Sequence, residues 1–385
     1  MNKYYKLGRV MVGVGLLTAI VGYSLMLIYD DYRPRDYVKW DTKTLKILSH
    51  ETMSKKSFEV MAFESGVAVE ENIIFHTMEV EEPWWLSLAK FIGQMQMLSC
   101  SKEPTAPGPT QPSPDPGAPS TQKDDWWFDI VGGKQSFPIE TANQIAICGI
   151  DTGFTQHPDI KIEGSISMVG GSVTDVVGHG TATLSVMAGL NNNVGIRGIS
   201  QAKLYMCKAL GDDGSGSMDG IAQCVQWCAN STTAKVINMS LGGPQASQLL
   251  YQSIAQARSK GIFVVAAAGN DSGMTNFPAR YDNVISVSAT TRSDVIARFS
   301  SRGKVEYSAP GENVLVAVPT GAKMCNGSTG YCVVSGTSFS SPLTAGVCAI
   351  ALAKGKSCDN LGVDFINQDM GTYGKGRVSS IKTVQ

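Results

Sequence analysis

From about Asp124 onward the chain alternates short apolar runs with stretches of helical period. Gln144 to Ile150, Lys203 to Ala209, Val236 to Ser240, Ile262 to Ala268 and Val284 to Ala289 are β-rich runs. Between them, Thr181 to Leu190, Ser217 to Asn230 and Gln248 to Lys260 carry apolar residues at helical spacing. Near-continuous apolar strands separated by helices predict crossover connections. The expected fold is α/β, a three-layer domain with a mainly parallel sheet covered by helices on both faces.

The pattern differs upstream. Lys3, Lys6 and Arg9 precede Val10 to Tyr29, which carry no charge. A segment of this length and flank predicts membrane insertion over residues 1–30, as a signal anchor or, alternatively, a cleaved signal peptide. Its positive flank leaves that end in the cytoplasm and sends the rest to the lumen or the outside. Residues 31–100 mix alternating runs, such as Ser57 to Phe63 and Asn72 to Val80, with charged turns, and read as a small α+β module. Pro, Gly, Ser and Thr dominate SKEPTAPGPTQPSPDPGAPSTQ, so 101–123 is expected to be a solvated, protease-accessible linker ahead of a domain at 124–385. Precursor processing is expected near or within that linker.

Composition narrows the function. Lys plus Arg total 32 against 33 for Asp plus Glu, so a net charge of -1 gives no field for nucleic acid, and partner choice falls to a shaped site. Nine cysteines form no CxxC pair, which removes the usual zinc spacing. Cys325 and Cys332 flank NGSTGY, a stretch that a hairpin closes into a disulfide in an oxidising compartment. Cys224 and Cys228 share a helical face. Cys148, Cys207 and Cys348 sit inside apolar runs and read as buried small hydrophobes.

Hydrolysing an amide by nucleophilic attack needs a hydroxyl, a base, a carboxylate to hold the base, and donors for the oxyanion. Ile-Cys-Gly-Ile-Asp151-Thr-Gly places a carboxylate at the C-terminal end of an apolar strand. Gly178-His179-Gly180-Thr181 places an imidazole at a helix start, and Gly336-Thr337-Ser338 a hydroxyl on a turn that opens another helix. Alone, such an Asp or Ser is commonly a turn residue or a cap. His179 is more selective: of four histidines, His50 and His76 precede the linker and His157 lies in a His-Pro-Asp turn.

These motifs, in the order Asp, His, Ser, resemble the subtilisin family. The resemblance covers about residues 140 to 350 and extends through LGDDGSGSMDGI, INMSLGG, VVAAAGN, YSAPG and SGTSFSSP. It implies Ser338 as nucleophile, His179 as general base then acid, Asp151 as the carboxylate orienting it, and Asn270 with the Ser338 N–H as oxyanion donors. It implies a protein or peptide substrate added as a strand between Gly214, Ser215 and Gly216 on one side and Ser240, Leu241 and Gly242 on the other. Ala268 and Gly269, with the Leu241 segment, would line the first specificity pocket. AGLNNNVGIRGIS resembles the family's calcium loop, with Leu190, Asn192, Val194 and Ile196 as ligands and Asp159 as the carboxylate. By position, residues 41 to 99 resemble the family's propeptide.

Two departures are visible. Ala182 stands where the family commonly has a second His, and the chain after Cys358 is shorter and more polar than the usual closing helices. A peptide-binding pseudoenzyme would need none of Asp151, His179, Ser338 and Asn270. An α/β-hydrolase esterase would require Gly-x-Ser-x-Gly and the order Ser, Asp, His, neither of which is found around Ser338.

Overall fold

The computed structural model describes residues 34–41, 43–54, 67–77, 121–136, 143–364 and 369–385. The segment at 1–30, the run Ser57 to Phe63 and most of the Pro-rich stretch lie outside the described residues. No helix among the described residues is long and apolar enough to cross a membrane.

The chain divides into two compact units, meeting in sequence at Ile73 and Ile74. In the first, β1 (Pro34–Asp41) pairs antiparallel with both β2 (Ile47–Ser54) and β3 (Val67–Glu71). Val38, Trp40 and Leu45 supply its buried apolar groups.

The second unit begins with β4 (Ile74–Thr77) and holds the main sheet. Its central strands are β5 (Ala146–Asp151), β7 (Lys203–Lys208), β9 (Ala234–Met239), β11 (Phe263–Ala267), β12 (Ile285–Thr290) and β13 (Tyr307–Pro310), with β6 (Gly164–Ser167) at one edge. Two short strands, β16 (Val363–Asp364) and β17 (Arg377–Val378), complete the other edge. The nine-strand order is β16-β17-β13-β12-β11-β9-β5-β7-β6, and every pair is parallel except β16 with β17. All six residues of β5 are buried, as expected for a strand covered on both faces. Four helices follow the strands: α2 (His179–Ala188), α3 (Met218–Ser231), α4 (Gln248–Ser259) and α5 (Thr337–Ala353), after a short α1 (Trp126–Ile130). Helix α2 packs with α5, and α3 with α4, as the two helical layers of a three-layer α/β fold. Outside the main sheet, β8 (Ser215–Ser217) and β10 (Leu241–Gly242) flank β4, and β14 (Val314–Ala317) pairs with β15 (Tyr331–Val334).

Cysteine chemistry departs from the apolar-run expectation. Cys148, Cys207 and Cys348 are buried, but each is bonded: Cys148 to Cys228, Cys207 to Cys224 and Cys348 to Cys358. Cys224 and Cys228 lie one turn apart on α3 and each reaches a different strand, so the shared face tacks the helix to β7 and β5. Cys325 is bonded to Cys332 across the turn before β15.

The polar tail closes the fold by hydrogen bonding as well as by apolar area. Helix α6 (Ser380–Val384) places Ser380 so that its N–H and hydroxyl both donate to the Val131 carbonyl, each at 2.8 Å. Arg377, almost wholly buried, pairs with Asp294 at 2.8 Å and Asp364 at 3.2 Å. The tail thus returns to the segment that follows α1.

Candidate active site

Asp151 ends β5, and His179 is the first residue of α2. Both are buried, and Nδ1 of His179 lies 2.7 Å from Oδ1 of Asp151. The Thr152 N–H donates to the same Asp151 oxygen at 2.7 Å. Gly178 turns the chain into α2 with φ 96°, a left-handed conformation that favours glycine. The His179 ring tilts against Phe339 at 5.7 Å between centroids, which brings the first turns of α2 and α5 together.

Ser338 is the second residue of α5 and is buried. Its Oγ donates to the Ser240 carbonyl at 3.1 Å, and the Ser240 hydroxyl donates back to the Ser338 carbonyl at 2.8 Å. Asn270 follows β11. Its Oδ1 accepts the N–H and the hydroxyl of Thr337, both at 2.9 Å, which fixes the amide plane one residue before Ser338. Ala268 is buried beside Gly269, whose φ of 121° would strain any residue with a side chain; a Cβ there would also lie 2.6 Å from Asn276 Nδ2.

A groove runs past these groups, and a strand already lies in it. β4 pairs antiparallel with β8, Phe75 opposite Gly216 and His76 opposite Ser215. On its other side it pairs antiparallel with β10, His76 opposite Gly242 and Thr77 opposite Leu241. The Thr77 N–H donates to the Gly214 carbonyl at 3.1 Å. Five of the six residues expected to bind a peptide backbone, Gly214, Ser215, Gly216, Leu241 and Gly242, thus hold β4. The sixth, Ser240, immediately precedes β10, and its carbonyl accepts the Ser338 hydroxyl. Phe75 is fully buried, so the segment is anchored by an aromatic side chain as well as by its backbone.

Away from the groove, the loop at 190–196 wraps around Asp159, which is 0% exposed. Oδ2 of Asp159 accepts the Ile196 N–H at 2.8 Å and the Tyr331 hydroxyl at 2.9 Å, while Oδ1 is buried with no hydrogen-bond partner among the described residues. A Cβ on Gly195 would lie 2.0 Å from Asp159 Oδ2 and 2.1 Å from the Tyr331 hydroxyl, so only glycine lets the loop pass this close to the carboxylate. Asn192 spans the loop, with Nδ2 on the Pro158 carbonyl at 3.0 Å and Oδ1 accepting from the Val194 N–H at 3.1 Å. No group of three or more His, Cys, Asp or Glu side chains is arranged to hold a metal among the described residues. A cation here would therefore rest on one carboxylate and carbonyl oxygens, a donor set that suits calcium.

The sequence reading did not place Gln122 at this loop. Gln122, assigned to the linker, lays its amide on the Leu190 carbonyl at 2.6 Å and the Val194 carbonyl at 3.4 Å. With two carbonyl acceptors facing it, the amide nitrogen is the end placed here; its oxygen would replace it only with a cation between it and the carbonyls. Its N–H and that of Lys123 bond Asn193 and Gly195, so ordered contacts with the domain already exist at Gln122.

The profile of the subtilase family matches residues 142–363. M-protease of Shouchella clausii (strain KSM-K16) is 40% identical over 226 residues, covering 57% of this chain and 57% of its own length. Subtilisin Savinase of Lederbergia lenta is 40% identical over 226 residues, 57% of this chain and 81% of its own. The thermostable alkaline protease of Halalkalibacterium halodurans is 36% identical over 255 residues, 63% of this chain and 68% of its own.

Proposed function

The chain belongs to the subtilase family, and from that premise we propose that it is a serine endopeptidase acting through an acyl-enzyme. Ser338 attacks the scissile carbonyl. His179 takes the hydroxyl proton and returns it to the leaving amine, and Asp151 holds the imidazole through Nδ1 and favours its charged form. Asn270, its Oδ1 held by Thr337, turns its amide N–H toward the oxyanion alongside the backbone N–H of Ser338. Loss of one such donor costs on the order of 100- to 1,000-fold in turnover.

The observation that carries this reading is β4. A segment of the chain lies in the groove as an added antiparallel strand, which is how an extended peptide is recognised through its backbone. Because β4 runs antiparallel to β10, its C-terminal end lies beside Leu241, one residue from the carbonyl that holds Ser338 Oγ. The residues up to this strand then act as a propeptide-like inhibitor, and a cut between β4 and α1 separates the catalytic domain from whatever precedes it. Protein and peptide substrates, lined up between β8 and β10, replace β4.

Asp159, the Leu190, Val194 and Ile196 carbonyls, Asn192 and Gln122 would hold a calcium ion. It would supply a positive centre that locks the loop, with no part in bond breaking. Four disulfides, two of them tying α3 to the sheet, fit an oxidising compartment, hence passage through a secretory route to a lumenal or extracellular destination.

The test is hydrolysis of casein by the full chain with calcium, beside Ser338→Ala and a serine-directed covalent inhibitor. Cleavage that both the variant and the inhibitor abolish is expected. Cleavage that persists in Ser338→Ala, or a folded wild type that cuts nothing, contradicts the reading and favours a peptide-binding pseudoenzyme.

A further inference from the structure

One buried carboxylate beside the Asp151–His179 pair has none of the roles above. Asp175 is 1% exposed and lies in the loop before His179. Its Oδ1 accepts the Thr152 hydroxyl and the Gly178 N–H, both at 2.8 Å. Its Oδ2 accepts the N–H and the hydroxyl of Thr181, again both at 2.8 Å. These donors belong to two separate pieces of chain. Thr152 follows Asp151 at the end of β5, whereas Gly178 and Thr181 bracket His179 at the start of α2.

The link is cross-braced. Thr152 Oγ1 accepts the Gly180 N–H at 2.9 Å, and the Thr152 carbonyl takes the buried Lys208 ammonium at 2.5 Å. The Asp175 backbone is itself pinned to Thr155 Oγ1, through its N–H and its carbonyl, at 3.1 Å each.

We propose that Asp175 is a positioning residue whose carboxylate ties the end of β5 to the first turn of α2 and thereby sets the Asp151–His179 contact. Four N–H and O–H donors converge on two oxygens, an arrangement that an anion satisfies and an amide does not. An asparagine at 175 would turn an NH2 toward a pair of donors and leave a buried N–H facing another. The position at the N-terminal end of α2 also suits a negative charge. Burial raises the Asp175 carboxyl pKa while the four hydrogen bonds oppose that rise. The inference rests on the peptidase reading, since a misplacement of about 1 Å matters chiefly to a reacting pair.

The test compares full-length wild type, Asp175→Asn, Thr152→Val and Thr152→Ser for kcat and KM on a chromogenic peptide. The pH profile, the folded fraction and the low-field proton resonance of the His179–Asp151 hydrogen bond are recorded for each. Asp175→Asn is expected to lower kcat on the order of 100-fold with KM within about twofold. The acid limb of kcat/KM should move to lower pH, because a loosened Asp151 stabilises the imidazolium less, and the low-field resonance should vanish. Thr152→Val should lose roughly fivefold and Thr152→Ser almost nothing, since the two hydrogen bonds of the Thr152 hydroxyl, to Asp175 and from the Gly180 N–H, are removed and then restored. A folded Asp175→Asn with wild-type kcat, acid limb and resonance overturns the proposal, as does a fall in kcat that only tracks the folded fraction. If Asp175→Asn does not fold, unchanged values in Thr152→Val overturn it. If wild type cuts nothing, the peptidase reading fails, and the low-field resonance alone still decides the clamp.

Discussion

Asp175 in the loop before α2 and Asp159 beneath the loop at 190–196 are equally hidden from water, at 1% and 0% exposure, but their surroundings complete them differently. Asp175 has donors on both oxygens, four in all. Asp159 has two donors on Oδ2 and an Oδ1 with none among the described residues, and the Gly195 backbone passes too close to it for any side chain. A buried charge is tolerated when it is fully paired, and an open lone pair in the interior is costly. The first carboxylate is thus fully paired, and the second keeps one oxygen open, where the calcium proposed above would bind.

The largest expected effect follows from that contrast. Calcium saturating the 190–196 loop at about 1,000 times its Kd adds about 4 kcal/mol. Chelation should therefore lower the Tm by about 10 °C, and Asp159→Asn should lower it similarly and abolish the response to added calcium in differential scanning calorimetry. Asp175→Asn should leave that response intact; a calcium response lost in Asp175→Asn and kept in Asp159→Asn would break the comparison. Next in size, Gln122→Ala should weaken calcium binding about tenfold, a loss of about 1.4 kcal/mol readable by calorimetric titration. An unchanged affinity would return Gln122 to the linker. Tyr331→Phe removes one donor from Asp159, so a Tm lower by about 3 °C with calcium dependence retained is expected.

The smallest effect is a pH slope. Burial raises the Asp175 pKa above its ordinary 3.8, so between that value and the raised one the folded state holds more proton than the unfolded chain. Stability from this group therefore falls as pH rises through that window. Melting curves should show the wild-type advantage over Asp175→Asn greatest at the acid end and shrinking upward; a difference independent of pH contradicts the assignment.

The contrast also explains what could be read from the sequence. The order of strands and helices was legible because buried strands and helices carry distinct apolar periods. Thr181 to Leu190 was expected as helix and His179–Ala188 was found, a shift of two residues made by the glycine turn at 178. The Asp151, His179 and Ser338 motifs were legible because each sits at an element boundary with flanking glycines. Asp175 was not, since an Asp in a polar loop has no local signature and its four donors lie on either side of a crossover. Gln122 was hidden by the Pro-rich composition around it. Cys148 and Cys207 looked like buried hydrophobes because their partners, Cys228 and Cys224, are placed opposite them only by the packing of α3 on the sheet.

The central claim is that the buried Asp151–His179 pair activates Ser338. It is tested most directly by reacting the full chain with a small phosphonofluoridate at neutral pH and mapping the adduct by mass spectrometry. One adduct on Ser338, absent from His179→Ala, is the expected result. Labelling elsewhere, or equal labelling of Ser338 in wild type and His179→Ala, would contradict it.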